Sequence, residues 1–117
     1  MQRRNRLSRS RDFDEVYRRG RSVSTRFLTV LCLTRDETIG APRLGLAVPK
    51  EVGNAVVRNR IKRQLREVWR ERLERVPPGN DYVLIVRPGL PEAVAAQGFE
   101  WLGERVDEVL ASSRAAA

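Results

Sequence analysis

Hydrophobic positions change their period several times along the chain, and each change predicts an element. Phe13, Val16 and Tyr17 recur at i, i+3 and i+4, so the sequence predicts a short helix over 10–19. Ser10 or Asp12 is placed to cap it, and Gly20 to end it. After a weak first strand at 21–25 comes FLTVLCL (27–33), a continuous β-prone apolar run. A polar loop covers 34–42. RLGLAVP (43–49) alternates Leu44, Leu46 and Val48 against Gly45, Ala47 and Pro49, which reads as a strand. The small residues on one of its faces leave either a shallow trough or room for a helix to pack closely, and periodicity does not choose between them.

Gly53-Asn54 then punctuates the chain, with Asn54 as the N-cap of a long helix. The apolar positions of that helix are Ile61, Leu65, Val68, Trp69, Leu73 and Val76, and Pro77-Pro78-Gly79-Asn80 stops it. DYVLIVRP (81–88) reads as a buried strand. Pro91 opens one last amphipathic helix carrying Val94, Ala95, Phe99, Leu102, Val106, Val109 and Leu110. No repeat or linker interrupts this order. The prediction is therefore a single α+β domain over 1–117, in the order α-β-β-β-α-β-α, with a basic arm at 1–9 and a frayed tail at 112–117.

Charge changes this picture. The net charge is +8 and the isoelectric point about 11.1, which points to a polyanionic partner. The excess is uneven: residues 1–35 hold ten Arg against three acids, whereas 88–117 hold two Arg against five acids. The long helix concentrates the imbalance. Arg58, Arg60, Lys62, Arg63 and Arg66 crowd its first half with no acid among them, although a helix N-terminus is already positive. With residues placed about 100° apart and Ile61 at zero, the apolar set spans roughly 340° to 120°. Asn59, Arg63, Arg66 and Arg70 fall between about 140° and 200°, a polar stripe. Arg58, Arg60 and Arg63 are expected to lie away from Ile61, Leu65 and Trp69. The later Glu67, Glu71 and Glu74 can pair with neighbouring Arg, but the first half has nothing to pair with. A phosphate backbone would neutralise it.

The chain contains no histidine and one cysteine, Cys32, which excludes Ser-His and Cys-His nucleophiles, an ordinary zinc site and an internal disulfide. Cys32 lies in an apolar run and reads as a buried thiol, in keeping with a reduced cytosol. No P-loop or Rossmann glycine pattern is present. Asp12, Asp14 and Glu15 read as helix-start acids rather than a metal cluster. No apolar run of about 18 residues exists, and no apolar region follows the basic N-terminus, so neither a membrane span nor a signal peptide is expected. Phe13 and Tyr17 sit one turn apart among Arg9, Arg11, Arg18 and Arg19, and fit either core positions or a platform for unpaired bases.

The long ordered combination RLGLAVPKEVGNAVVRNRIKRQLREVWR, with RNRLSRSRDFDEVYRRGRSV before it and DYVLIVRPG after it, resembles the bacterial ribonuclease P protein subunit. The resemblance runs from about residue 3 to 89 and more loosely through the last helix. It implies a four-stranded sheet with a left-handed βαβ crossover, similar to the second domain of ribosomal protein S5. It also implies the small protein partner of a catalytic RNA that removes the 5′ leader of precursor tRNA. The Mg2+ would act through the RNA subunit, with no catalytic residue on the protein, and the location would be the cytoplasm, away from any membrane. By that resemblance Arg58, Asn59, Arg60, Lys62, Arg63 and Arg66 face the RNA subunit. Phe13 and Tyr17 line a cleft for the single-stranded leader, with Lys50 and Arg87 as further basic positions. Glu51 and Pro49 depart from the family pattern, where a second Lys and a Ser or Gly are common. From the residues alone, a ribosomal or other structural RNA-binding protein without a role in cleavage is the main alternative. A membrane-surface binder ranks last, because no helix pairs a basic face with a broad Trp/Phe/Leu face.

Overall fold

The computed structural model describes residues 6, 7, 9–35 and 42–115, with side chains through residue 113. Its elements run α1 (Ser10–Arg19), β1 (Arg21–Ser24), β2 (Leu28–Thr34), β3 (Arg43–Ala47), α2 (Ala55–Arg72), β4 (Asn80–Val86), α3 (Leu90–Gln97) and α4 (Phe99–Ala115). Single 3₁₀ turns at Lys50–Val52 and Leu73–Arg75 flank α2. Four strands form one mixed sheet in the order β1-β2-β4-β3. β1 and β2 are an antiparallel hairpin, β2 pairs antiparallel with β4, and β3 lies parallel to β4 through the α2 crossover. This is the predicted α+β architecture with its four-stranded sheet.

Both faces of the sheet are covered, which is why β4 reads as an unbroken apolar run rather than an alternating one. On one face Leu28, Val30, Leu44, Tyr82, Leu84 and Val86 pack against Ile61, Leu65, Val68 and Trp69 of α2 and against Leu102, Val106 and Val109 of α4. Trp69 is fully buried, its ring 5.2 Å from that of Tyr82. On the other face α1 covers a smaller cluster of Leu7, Val16, Leu31 and Val83, flanked by Phe13, Leu33, Ala47 and Ile85. One charged group is buried in the sheet. Asp81 of β4 accepts two hydrogen bonds from Arg43 of β3, at 2.9 and 2.8 Å. Arg35, just after β2, brings its Nε to 2.8 Å from the same carboxylate.

Two local expectations change, the undivided last helix and the cap of α1. The last helix is two helices, because Gly98 adopts φ +96° and its N–H closes α3 on the Val94 carbonyl at 2.8 Å. The positive φ turns the chain where an amphipathic pattern alone runs straight through. α4 runs helical to Ala115, with Ser113 buried. Residues 116 and 117 lie outside the described residues, as do 1–5 and 8 of the basic arm and 36–41 of the polar loop. Neither Ser10 nor Asp12 caps α1: Arg9 holds the N-cap position without a side-chain bond, and Asp12 turns to Arg43 at 3.6 Å. Gly20 ends α1 in extended geometry, required by space rather than by φ: a Cβ there would stand 2.5 Å from the Val16 carbonyl oxygen.

Candidate nucleic-acid interface

α2 begins as its sequence predicts. The Asn54 side chain accepts the Val57 N–H at 3.0 Å, satisfying one of the free donors of the first turn. Its two halves then differ in how charge is met. In the second half Arg70 pairs with Glu67, and Arg72 binds Asp107 of α4 through Nε at 2.5 Å and Nη2 at 3.0 Å. Arg72 also donates to the Val68 carbonyl and passes over Gly103, where a Cβ would sit 2.6 Å from its Nη2. In the first half Arg58, Arg60, Lys62, Arg63 and Arg66 have no ion pair among the described residues. Asn59, Arg60 and Arg63 are exposed, while Arg58, Lys62 and Arg66 are half-buried on one flank.

That flank faces the edge of β3. Arg6 bridges to Leu44, with the adjacent Leu7 N–H donating to the Leu44 carbonyl at 2.9 Å. Partial burial and, after it, the charge of Arg6 both push the Arg66 guanidinium below its ordinary pKa. Positive charge thus continues from α2 round the β3 edge to the N-terminal segment. The sequence places Arg6 in a basic arm, but its approach to Arg66, sixty residues on, exists only in the fold. Arg58 corrects an expectation. Its Nε is buried with no hydrogen-bond partner, so it does not lie clear of the packed side. The signal was present: on the helical wheel Arg58 falls near 60°, inside the apolar arc. The arginine stem is buried along the core while the head reaches outward.

On the opposite face of the sheet, α1 carries the two aromatics, and they differ. Phe13 is half-buried, and its ring closes on Gly45, where a Cβ would meet Cε1 and Cζ at 2.6 Å. Tyr17 is 49% exposed, with the burial of part of its ring raising the phenol pKa. It is a neutral hydroxyl beside an accessible ring. The trough question divides at the same place: Gly45 is filled by Phe13, whereas the next row of that face, Ala47, Ile85 and Thr29, stays half-buried. Lys50 and Arg87 are both exposed just beyond the C-terminal ends of the parallel β3 and β4, at one end of this strip. Glu51 is exposed beside Lys50. Arg87 also has a structural bond, donating to the Thr25 carbonyl at 2.5 Å. The same end holds a group the sequence did not single out. Arg26 lies 5.1 Å from the centre of the Phe27 ring, which meets Trp101 edge-on at 5.2 Å, and Arg105 covers Trp101 at 5.2 Å. The Arg26-Phe27 adjacency and the i, i+4 spacing of Trp101 and Arg105 were visible in the chain; the contact of Phe27 with Trp101 was not.

The α2 cations and the α1 aromatics therefore belong to opposite faces, linked round the β3 edge by Arg6. Among the described residues no three His, Cys, Asp or Glu side chains come together to hold a metal ion. No described helix is long and apolar enough to cross a membrane.

A family model described as Ribonuclease P matches residues 1–111. The ribonuclease P protein component of Geobacillus thermodenitrificans (strain NG80-2) is 44% identical over 99 residues, covering 85% of this chain and 78% of the relative. That of Acidothermus cellulolyticus is 41% identical over 105 residues, covering 90% and 84%. Among solved structures, the RNase P protein from Thermotoga maritima superposes with a TM-score of 0.81 at 31% identity, covering 90% of this chain and 94% of that one. The Staphylococcus aureus RNase P protein gives a TM-score of 0.81 at 28% identity, covering 93% and 94%.

Proposed function

The chain belongs to the ribonuclease P protein family, and from that premise we propose how its surface divides the work between two RNAs. It is the protein component of an endoribonuclease that matures the 5′ end of tRNA. In our reading, residues 1–117 act as one RNA-binding domain. Arg58, Asn59, Arg60, Lys62, Arg63 and Arg66 bind the catalytic RNA subunit, with Arg6 extending that surface. Phe13, Tyr17, Lys50 and Arg87 border the cleft for the leader of precursor tRNA, Tyr17 offering the ring on which a base stacks. Chemistry and Mg2+ reside in the RNA subunit, and the cytoplasm is where the precursor is met.

The observation that carries the reading is the contrast within α2: its second half is neutralised by Glu67 and Asp107, and its first half has no acid partner among the described residues. Unpaired guanidiniums on a helix that already opens with free N–H groups gain most from phosphate. The test is the affinity for the catalytic RNA subunit as a function of salt. Lys62→Ala/Arg63→Ala removes two cations, the half-buried Lys62 and the exposed Arg63, and leaves Ile61, Leu65 and Trp69 in place. Affinity should fall, and the slope of log affinity against log salt should shrink by about one for each phosphate no longer neutralised. Unchanged affinity with an unchanged slope overturns the assignment.

A further inference from the structure

Between the first half of α2, α3 and the start of α4 lies a groove of about 450 Å³. That volume is within the range of small-ligand sites, which combine apolar walls with a few convergent polar groups. Its walls are Val57 and Ile61 of α2, Val94 and Ala95 of α3, and the ring of Phe99. The break at Gly98 creates it: the positive φ ends α3 and places Phe99 at the first position of α4, where the ring remains 38% exposed. Arg60 and Gln64, one turn apart on α2, and Glu92 on α3 supply the polar rim. Arg60 makes no ion pair with Glu92 or with any other acid among the described residues.

We propose that this groove takes an unpaired nucleobase of the RNA subunit, with its phosphate held by Arg60. The inference rests on the α2 reading above and adds a base-binding site to it. The base lies against Phe99 and the aliphatic walls, as single-stranded bases lie on aromatic side chains elsewhere. Gln64 can both donate to and accept from the pairing edge, while the Glu92 carboxylate only accepts. Every base carries at least one N–H donor on that edge, and guanine presents two adjacent ones, N1–H and N2–H, that can both reach one carboxylate, so Glu92 favours guanine. Charge selects RNA over a second copy of this chain. Arg60 adjoins the unpaired cations of the same helix, and a copy would set +8 against +8.

The experiment follows the methyl resonances of Val57, Ile61 and Val94 in the full chain as nucleoside 5′-monophosphates are added, with ribose 5-phosphate as the control. GMP should produce the largest saturable shifts at these methyls, AMP, CMP and UMP smaller ones, and ribose 5-phosphate none. Ala95→Trp, which fills the groove from an exposed position on α3, should abolish the shifts. Gln64→Leu, which keeps the stem and removes the amide, should weaken them and serves as the second variant if the tryptophan disturbs folding. In the holoenzyme, Ala95→Trp should weaken RNA-subunit affinity by about five- to 150-fold, the equivalent of one missing stack, with the salt slope unchanged. Equal shifts from ribose 5-phosphate, or no shift from any nucleotide, overturn the base site. If those results coincide with a reduced slope for Lys62→Ala/Arg63→Ala, the basic surface stands and only the groove assignment falls.

Discussion

Phe13 and Tyr17 share a motif and a helix, yet their surroundings give them different work. Phe13 fills the space above Gly45, so Phe13→Ala should cost about 3 kcal/mol in urea unfolding, the low end for a buried phenylalanine. Tyr17 is half in solvent, so Tyr17→Ala should change stability by less than about 0.5 kcal/mol. It should instead weaken precursor tRNA binding by ~1–3 kcal/mol while sparing mature tRNA. Equal weakening of the two tRNAs would remove Tyr17 from the leader site. Asp81 is the other residue whose chemistry is set by burial, at 2% exposure. It holds the guanidiniums of Arg43 and Arg35, joining β3 and the end of β2 to β4, and its hydrogen bonds raise the Arg43 pKa. Arg43 meets it through two aligned bonds; the Arg35 Nε contributes charge without a well-aligned hydrogen bond. Asp81→Asn keeps the shape but leaves two cations facing a neutral amide. The expected loss is about 3 kcal/mol, the low end for a broken buried pair because both guanidiniums keep some water. A urea midpoint close to that of the parent protein would show that the clamp contributes little.

Elements begin and end here by distinct devices, and two of them bear on the site. α2 is positioned by Asn54, whose bond to the Val57 N–H fixes where the basic half starts. Asn54→Ala should cost about 1 kcal/mol. α3 and α4 are separated by Gly98, the residue that leaves Phe99 beside α2. Gly98→Ala meets no steric neighbour, so its penalty is one of backbone conformation alone: at φ +96° and ψ 173° the backbone is in a region open essentially only to glycine, and the cost is about 1–3 kcal/mol. Thermal unfolding of the two variants separates the contributions. A Gly98→Ala protein as stable as its parent would mean that the helix break is not held by that φ.

The whole molecule carries +8 on 117 residues, with five cations on one helix half that have no ion pair among the described residues, so the folded state repels itself. An anion that binds only the folded state stabilises it, by ~2.7 kcal/mol at a hundredfold excess over Kd. Pyrophosphate at low millimolar levels should therefore raise the Tm more than chloride at matched ionic strength, because chloride screens without occupying a site. Lys62→Ala/Arg63→Ala should lose most of that shift. Equal gains in the parent and the double variant would detach the stabilising anion from α2.

The sequence by itself determined the class of fold, the long helix and its Asn54 cap, the core positions of that helix and the loading of charge on its first half. These are local: a 3.6-residue period, a capping side chain and a run of cations are written in consecutive residues. The exclusion of Ser-His and Cys-His nucleophiles, of an ordinary zinc site and of an internal disulfide follows from composition alone. Only the tertiary structure decided that Gly98 divides the last helix, since either a straight or a turned path satisfies the same apolar spacing. It likewise decided that Phe13 fills the Gly45 notch while Tyr17 stays open. Burial of two residues one turn apart depends on the strand beneath them, thirty residues further along the chain. Arg6 beside Arg66, Arg72 on Asp107 and Arg43 and Arg35 on Asp81 are pairings over long sequence separations. No periodicity encodes such pairings, because they arise only once the sheet has set which elements become neighbours.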